Sequence, residues 1–326
     1  MPANLPPQYF EAERKFREAK TIDEKISALE KMLAIMPKHK GTEKLQAQLK
    51  RKIAKLEEER FRSTGSKRGF SQLIKREGAG QIAIVGLPNC GKSTLLSRLT
   101  NAKPDIADYP FSTRSCLAGM MPYENIMIQL IDTPPLMFEA AEGFLSGQLR
   151  YADALCIIID LTDDVRTQYE LIIEELKQWK IGILGMLNET PQEGSVIKRA
   201  VIAGNKLDEN IPAEVLNTFL GLGNEKIPCI AISAKKGIGL EDLKTHMFNV
   251  LDIIRVYTKS PGKKPRMDQP LILKRNSTVE DVARSIHKDF LEKLLYARIW
   301  GKKVFDGQKV KRDYVLEDGD IVELHI

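Results

Sequence analysis

No stretch of this chain approaches the roughly 20 consecutive apolar residues that a helix needs to cross a bilayer, which excludes a helical membrane protein. The opening residues, MPANLPPQYFEAERKF, lack the apolar core of a secretion signal, so the expected location is the cytoplasm, with no membrane partner. Cysteine is sparse and scattered. Cys90, Cys116, Cys156 and Cys229 show neither metal-ligand spacing nor the density of a disulfide scaffold, and are read as reduced core or loop residues. There is no internal repeat.

What remains is an ordinary soluble composition, with 43% hydrophobic and 29% charged residues. At 326 residues the chain is long enough for two or three domains, each with its own core. The net charge of +6 is unevenly spread. Residues 1–80 and 255–326 carry a basic surplus, and 81–254 an acidic one. A polyanion such as RNA would be drawn to the flanks while the centre does something else. The plainer reading of the flanks is solvated helix faces.

The centre is organised around QIAIVGLPNCGKSTLLSRLT, residues 81–100. A β-branched buried strand, the loop GLPNCGKS and the start of a helix follow in the order that a phosphate-binding loop, G-x-x-x-x-G-K-[ST], requires. Gly86 and Gly91 let the backbone turn, so that N–H groups from Leu87, Asn89, Cys90, Lys92, Ser93 and Thr94 gather near the positive end of the helix, with Pro88 in the same loop. Lys92 then neutralises the β- and γ-phosphates, and Ser93 presents its hydroxyl to Mg²⁺.

Strand and helix patterns alternate on either side of this loop. Strands are expected at 82–85, 116–121, 126–131, 154–159, 200–203 and 229–232, and helices at 92–99, 140–151, 165–179, 212–219 and 240–254. Such alternation implies a mainly parallel sheet covered on both faces. Before it, residues 1–62 read as a basic helical hairpin. Thr21 and Glu24 make a capping-box pair, and Ile26, Leu29, Leu33 and Met36 form one stripe, with Leu45, Leu49, Ile53 and Leu56 on a second helix. Residues 63–80 read as a linker with Phe70 and Leu73 as anchors. After the central domain, 81–256, a Pro/Lys linker at 257–269 leads to a final module at 270–326. Its pattern is a strand at 271–274, a helix capped by Ser277 with Glu280, a second helical stretch and short strands at the end, which suits a small mixed sheet around one helix.

Three more motifs complete a site. Strand 126–131 ends at Asp132 in IDTPP, a carboxylate placed to hold Mg²⁺. Strand 200–203 runs into GNKLD, where Asp208 can accept both N–H groups of a guanine edge while Asn205 and Lys206 brace the loop and cover the base. Strand 229–232 leads to SAKKG, in which Ser233 begins a loop, the Ala234 N–H reaches the guanine O6 and Lys235 lies along the ring.

The ordered set GLPNCGKS, IDTP, NKLD and SAK resembles a translation-factor-class GTPase, and NAKPDIADYPFST resembles switch I of the Obg family. The run from RVYTKSPGKKP through STVEDVARSIHKDFLEKLLYARIWGKKVFDGQKV to VLEDGDIVELH resembles the TGS domain, a β-grasp module, of the developmentally regulated GTP-binding proteins. The similarity covers roughly residues 40–326. It implies a P-loop GTPase domain with an N-terminal helical hairpin and a C-terminal TGS domain. It also implies GTP and GDP as ligands, Mg²⁺ as cofactor, Thr113 as a third metal ligand, and Asn89 as the group that holds K⁺ beside the phosphates. In that resemblance Tyr109, Pro110 and Phe111 anchor switch I. Ribosomal or other structured RNA and a regulatory protein are the implied partners of a monomer.

Two departures bear on catalysis. The segment between Asp160 and Val201 is too short for the extra domain of the eukaryotic relatives. The third motif reads DTPP where the family has D-x-P-G, and Pro135 has no N–H to donate to a γ-phosphate. A charge-assisted bond of that kind is worth ~1.5–3 kcal/mol, so GTP-over-GDP sensing weakens by roughly ten- to a hundredfold. Leu136 follows, where Ras-like enzymes carry a water-orienting glutamine. The expectation is slow turnover resting on Lys92, Thr113, Asn89 and the metal, faster in K⁺ than in Na⁺. The alternative is a nucleotide-bound RNA or ribosome scaffold that hydrolyses little or nothing.

Overall fold

The computed structural model describes residues 7–19, 22–35, 49, 52, 73–100, 105–106, 116–136, 142–186 and 193–326. The chain divides into two compact units, Met1–Leu73 and Ile74–Ile326. In the first, α1 (Pro7–Glu18) and α2 (Ile22–Ile35) pack through Tyr9, Ala12, Leu29 and Met32, with Leu49 in the same cluster and Leu33 half-buried against it. α1, which precedes α2, packs against it. Of the expected second helix only Leu49 and Lys52 are described, both helical, so Leu45, Ile53 and Leu56 lie outside the described residues, as do Thr21, Met36, Phe70 and the side chain of Ile26.

The second unit holds two sheets. The larger follows the order β2 (Asp105–Ile106), β3 (Leu117–Tyr123), β4 (Ile126–Asp132), β1 (Gln81–Gly86), β5 (Ala154–Asp160), β7 (Val196–Asn205) and β6 (Ile181–Ile183), with β8 (Cys229–Ala231) also paired to β7. Apart from the β2–β3–β4 pairings it is parallel. β1 is buried along its whole length because both faces are covered. Ile82 and Ile84 meet α3 (Lys92–Leu99) and α7 (Leu240–Val250). Ala83 and Val85 meet α4 (Glu142–Tyr151) and α5 (Val165–Gln178), with α6 (Ala213–Leu220) completing that layer through Phe219.

The strand entering β1 is fastened by buried glutamines. Gln148 accepts from the Ile74 N–H at 2.9 Å, Gln81 Nε2 donates to the Ile74 carbonyl at 3.0 Å and to Gln129 at 2.7 Å, and Gln148 Nε2 donates to Gln81 at 2.9 Å. Residues 74–80, which composition suggests as linker, are therefore tied to the sheet, with Ile74 as the buried anchor and Leu73 only half-buried. Between Asp160 and Val201 the chain spends its length on α5, β6 and the start of β7, together with the undescribed residues 187–192.

The smaller sheet runs β10 (Leu271–Lys274), β9 (Ile253–Thr258), β13 (Ile321–His325), β11 (Tyr296–Trp300), β12 (Gln308–Val310), and encloses α8 (Val279–Ile286), which α9 (Lys288–Lys293) follows. α8 is capped one residue later than the sequence pattern suggests: Thr278 and Asp281 form the capping box. Ser277 is used otherwise, its carbonyl accepting from the Leu316 N–H at 2.9 Å.

β9 joins the two sheets. The sequence pattern continues the preceding helix to 254 and places a linker from 257, but α7 stops at Val250 and Asp252 adopts φ +56, a left-handed turn into strand. Ile254 and Val256 point into the small domain's core, whereas Ile253 packs into the larger sheet's cluster with Tyr123 and Phe248. Arg255, on the same side as Ile253, grips Asp318 through Nε at 3.0 Å and Nη2 at 2.7 Å and reaches Glu124 at the β3–β4 turn. Asn125 beside it donates to the Tyr257 hydroxyl at 2.6 Å and the Met267 carbonyl at 3.0 Å.

Candidate nucleotide-binding site

The site forms where β1, β4, β7 and β8 end on one edge of the larger sheet. β1 stops at Gly86, and α3 starts after Gly91. Both glycines are sterically required. A Cβ on Gly86 would lie 2.7 Å from the Ile158 carbonyl of β5. One on Gly91, whose φ is +97, would lie 2.3 Å from Asn205 Nδ2. Asn89 also adopts a left-handed φ of +62, tolerable for asparagine. It is exposed, with no hydrogen-bond partner among the described residues.

Lys92 is buried and folds back over its own loop, Nζ donating to the carbonyls of Gly86 at 3.1 Å and Leu87 at 2.9 Å, with Cys90 Sγ at 3.8 Å. The ammonium is thus fixed across the loop mouth rather than waving in solvent. The start of α3 has no side-chain cap, so its first N–H groups, from Lys92, Ser93 and Thr94, remain for an anion. Pro88 is exposed, and Leu87 packs against the core.

Ser93 Oγ donates to Asp132 Oδ2 at 2.5 Å, while Asp132 Oδ1 is buried without a hydrogen-bond partner among the described residues. Burial pushes this carboxyl above its usual range; the Ser93 hydroxyl and the Lys92 ammonium oppose that. The Ser93 hydroxyl and the Asp132 carboxylate, one of whose oxygens is buried and unclaimed, make an all-oxygen donor set that fits Mg²⁺. Thr113, the third expected ligand, lies outside the described residues, as does all of 107–115, including Tyr109, Pro110 and Phe111. Thr133 donates its hydroxyl to the Ile84 carbonyl at 2.6 Å, fastening the DTPP turn to β1. Leu136 is 1% exposed and sits in the core with Val85 and Leu145.

Asn205, 4% exposed, spans two loops. Its Nδ2 donates to the Cys90 carbonyl at 2.9 Å, and its Oδ1 accepts from the Ala234 N–H at 2.9 Å. Holding the Cys90 carbonyl turns the Gly91 N–H, antiparallel to it in the same planar peptide, to the loop's other side. The Ala234 N–H, which the sequence aims at a base oxygen, is thus donated to Asn205. Asp208 Oδ1 accepts from the Ser233 hydroxyl at 2.6 Å, and Lys235 Nζ stands 4.0 Å from Oδ2. The Ser233 bond holds the Asp208 carboxyl below its usual range, and its side chain is 8% exposed.

Lys206 does not lie free over a base position. It pairs with Asp160 at the end of β5, whose carboxylate also accepts from Thr162 Oγ1 at 2.7 Å. Sequence reading passed over Asp160, although a carboxylate closing the apolar run LCIIID is itself a strand-end signal. It also passed over Arg98, which donates from α3 to the Lys235 carbonyl at 2.7 Å and steadies the SAK loop.

The fold and this edge define a P-loop GTPase domain with an appended β-grasp module. Comparison agrees: residues 81–189 match the family described as 50S ribosome-binding GTPase, and 254–326 match the TGS domain. A GTP-binding protein of Methanocaldococcus jannaschii is 31% identical over 94% of this chain and 93% of that one. Developmentally-regulated G-protein 3 of Arabidopsis thaliana is 28% identical over 93% and 98%. A GTP-binding protein from Pyrococcus horikoshii shares the fold, with TM-score 0.53 and 21% identity over 75% of this chain and 99% of that one. The chain belongs to the developmentally regulated GTP-binding proteins, Obg-like GTPases with a C-terminal TGS domain.

Proposed function

We propose that this protein is a cytoplasmic, monomeric switch that binds GTP and slowly hydrolyses it to GDP and phosphate, and that it acts on ribosomal or other structured RNA with a regulatory protein partner. The observation that carries the nucleotide reading is the Asn205 bridge, which holds the phosphate loop and the Ser233–Lys235 loop in one frame while Asp208 sits ionised on Ser233. In that frame Gly86, Leu87, Pro88, Asn89, Cys90, Gly91, Lys92, Ser93 and Thr94 enclose the phosphates. Asn205, Lys206, Asp208, Ser233, Ala234 and Lys235 surround the base.

Ser93, Asp132 and Thr113 hold Mg²⁺, which when bound neutralises charge on the β- and γ-phosphate oxygens. Lys92 contributes a second positive charge at the same oxygens, already oriented by the Gly86 and Leu87 carbonyls. Asn89, exposed and without a hydrogen-bond partner among the described residues, supports a K⁺ role, since its side-chain carbonyl oxygen is available beside the loop.

A second reading has its own support. Pro135 has no N–H to donate to a γ-phosphate, and the Leu136 side chain, buried in the core, has no polar group to orient water. Under that reading the protein is a nucleotide-bound RNA scaffold. One experiment separates the two: titrate fluorescent GTP, GDP and ATP, then follow phosphate release at saturating GTP in K⁺ and in Na⁺ at matched ionic strength, with and without ribosomes. The switch reading expects guanine over adenine, measurable release and a faster rate in K⁺. Tighter ATP binding overturns the nucleotide assignment. Absence of release under every condition leaves the scaffold, and equal rates in the two salts remove the K⁺ role of Asn89.

A further inference from the structure

The outward face of the C-terminal sheet alternates aromatic rings with cations. On β11, Ala297 and Ile299 are fully buried in the domain core, so Tyr296, Arg298 and Trp300 stand on the opposite face. The strand register puts Arg298 between Lys309 of β12 and Glu323 of β13. Arg298 and Lys309 are both exposed, and like charges directly opposite destabilise an antiparallel pair. Glu323 does not relieve them. Its two oxygens are engaged by Lys259 Nζ at 2.7 Å and by His325 Nε2 at 2.8 Å. Among the described residues Arg298 has no ion-pair partner.

Rings flank this charged row on both sides. Tyr296 stacks on His325 with centroids 4.5 Å apart, and Lys309 Nζ lies 4.0 Å from the Tyr296 ring. Toward the other end of β11, Lys259 Nζ lies 4.0 Å from the Trp300 ring. The following β11–β12 hairpin carries exposed Lys302 and then Phe305, 87% exposed. Arg298, set opposite Lys309 without an ion pair among the described residues, and a bare phenyl ring both cost stability in water. A ligand offering negative charge together with flat apolar faces offsets both.

We propose that this face binds unpaired nucleotides of single-stranded RNA, with bases stacking at Tyr296 and Trp300 and phosphates running along Arg298, Lys309 and Lys302. The proposal rests on the reading that the protein acts on RNA, and it specifies the form of RNA and the surface. Four residues of strand separate the two rings by about 13 Å, so they serve different bases. Duplex RNA hides its base faces inside the helix and offers this surface only charge. An acidic protein segment offers charge without rings.

The chain's two tryptophans make the test direct. Trp179 is buried in the GTPase core, at 7% exposed, so quenching on titration with an oligouridylate of about 12 nucleotides reports Trp300. With the full-length protein bound to GDP, the wild type should be quenched, and Tyr296→Ala and Arg298→Glu should each weaken binding about tenfold. Tyr296→Phe, which keeps the ring and the packing, should bind like the wild type. Labelled-oligomer anisotropy gives the affinities independently of quenching. Unchanged affinity in both Tyr296→Ala and Arg298→Glu overturns this surface while leaving RNA binding elsewhere intact. A duplex or a polyglutamate peptide of equal charge that competes as well as the oligomer also overturns it. Failure of every RNA and of ribosomes to bind removes the RNA reading itself, and this surface with it.

Discussion

Replacing Asn205 with alanine tests whether two loops far apart in sequence act as one nucleotide frame. The substitution deletes two hydrogen bonds of 2.9 Å and leaves the Cys90 carbonyl and the Ala234 N–H without their protein partner. At ~1 kcal/mol per lost bond, with up to ~1–3 kcal/mol for a buried group left unpaired, the loss is about 2–4 kcal/mol. Expressed in binding, that is roughly a 30- to 1,000-fold weaker GDP complex. Asn205→Asp separates the two halves of the bridge. It keeps an acceptor for Ala234 but sets an anionic oxygen against the Cys90 carbonyl, so it should bind GDP no better than the alanine variant. The assay is fluorescent GDP titration, with thermal unfolding measured without nucleotide as the control. Affinity within about threefold of wild type in both variants would refute the bridge as a positioning device. So would a stability loss with unchanged affinity, because the bonds would then serve the fold alone.

Three further outcomes follow from particular contacts. Because the Ser233 hydroxyl holds Asp208 below the usual carboxylate range, its charged form persists as pH falls. Measured by titration, the preference for GDP over ADP, which carry the same phosphates and meet the same Asp132, should stay flat from about pH 8 to 5 and decline only below about pH 4. A midpoint near pH 6 would remove Asp208 as the base reader. Leu136→Gln restores a polar residue after DTPP but plants it in the core beside Val85 and Leu145. Thermal unfolding should show a loss of about 2 kcal/mol, with no gain in phosphate release. Arg255→Met abandons Asp318 and Glu124 at about 2–3 kcal/mol, less than a fully buried pair because both acids keep access to water. Its urea unfolding should split into two transitions as the C-terminal domain loses its hold on the β3–β4 turn, whereas a single unshifted transition would show that the docking does not depend on Arg255.

Much of this architecture was legible because its signals are local. The helix expected at 92–99 and the strand at 271–274 have those bounds in the structure, and the remaining central strands differ mainly at their ends. Other features escaped for physical reasons. Ile253 and Ile254 extend the apolar pattern of the preceding helix, and only pairing with Lys274 and Leu273 of β10 makes them strand. Ser277 with Glu280 and Thr278 with Asp281 satisfy the same capping spacing. The structure uses Thr278 with Asp281, while the Ser277 carbonyl accepts from Leu316, distant in sequence. β6, only three residues long, has too short a pattern to read without its partner β7.

The sequence alone determined which chemical groups stand at the sheet edge, because phosphate loop, DTPP, NKLD and SAK each close a strand whose burial pattern is readable residue by residue. Only the tertiary structure decided what those groups do to one another. It spent the Ala234 amide and the Cys90 carbonyl on Asn205, paired Lys206 with Asp160, and turned Leu136 into the core. Periodicity reports which face a side chain takes within its own element. Hydrogen-bond partners are chosen by which strand ends the sheet order brings together, and that order is a property of the whole fold.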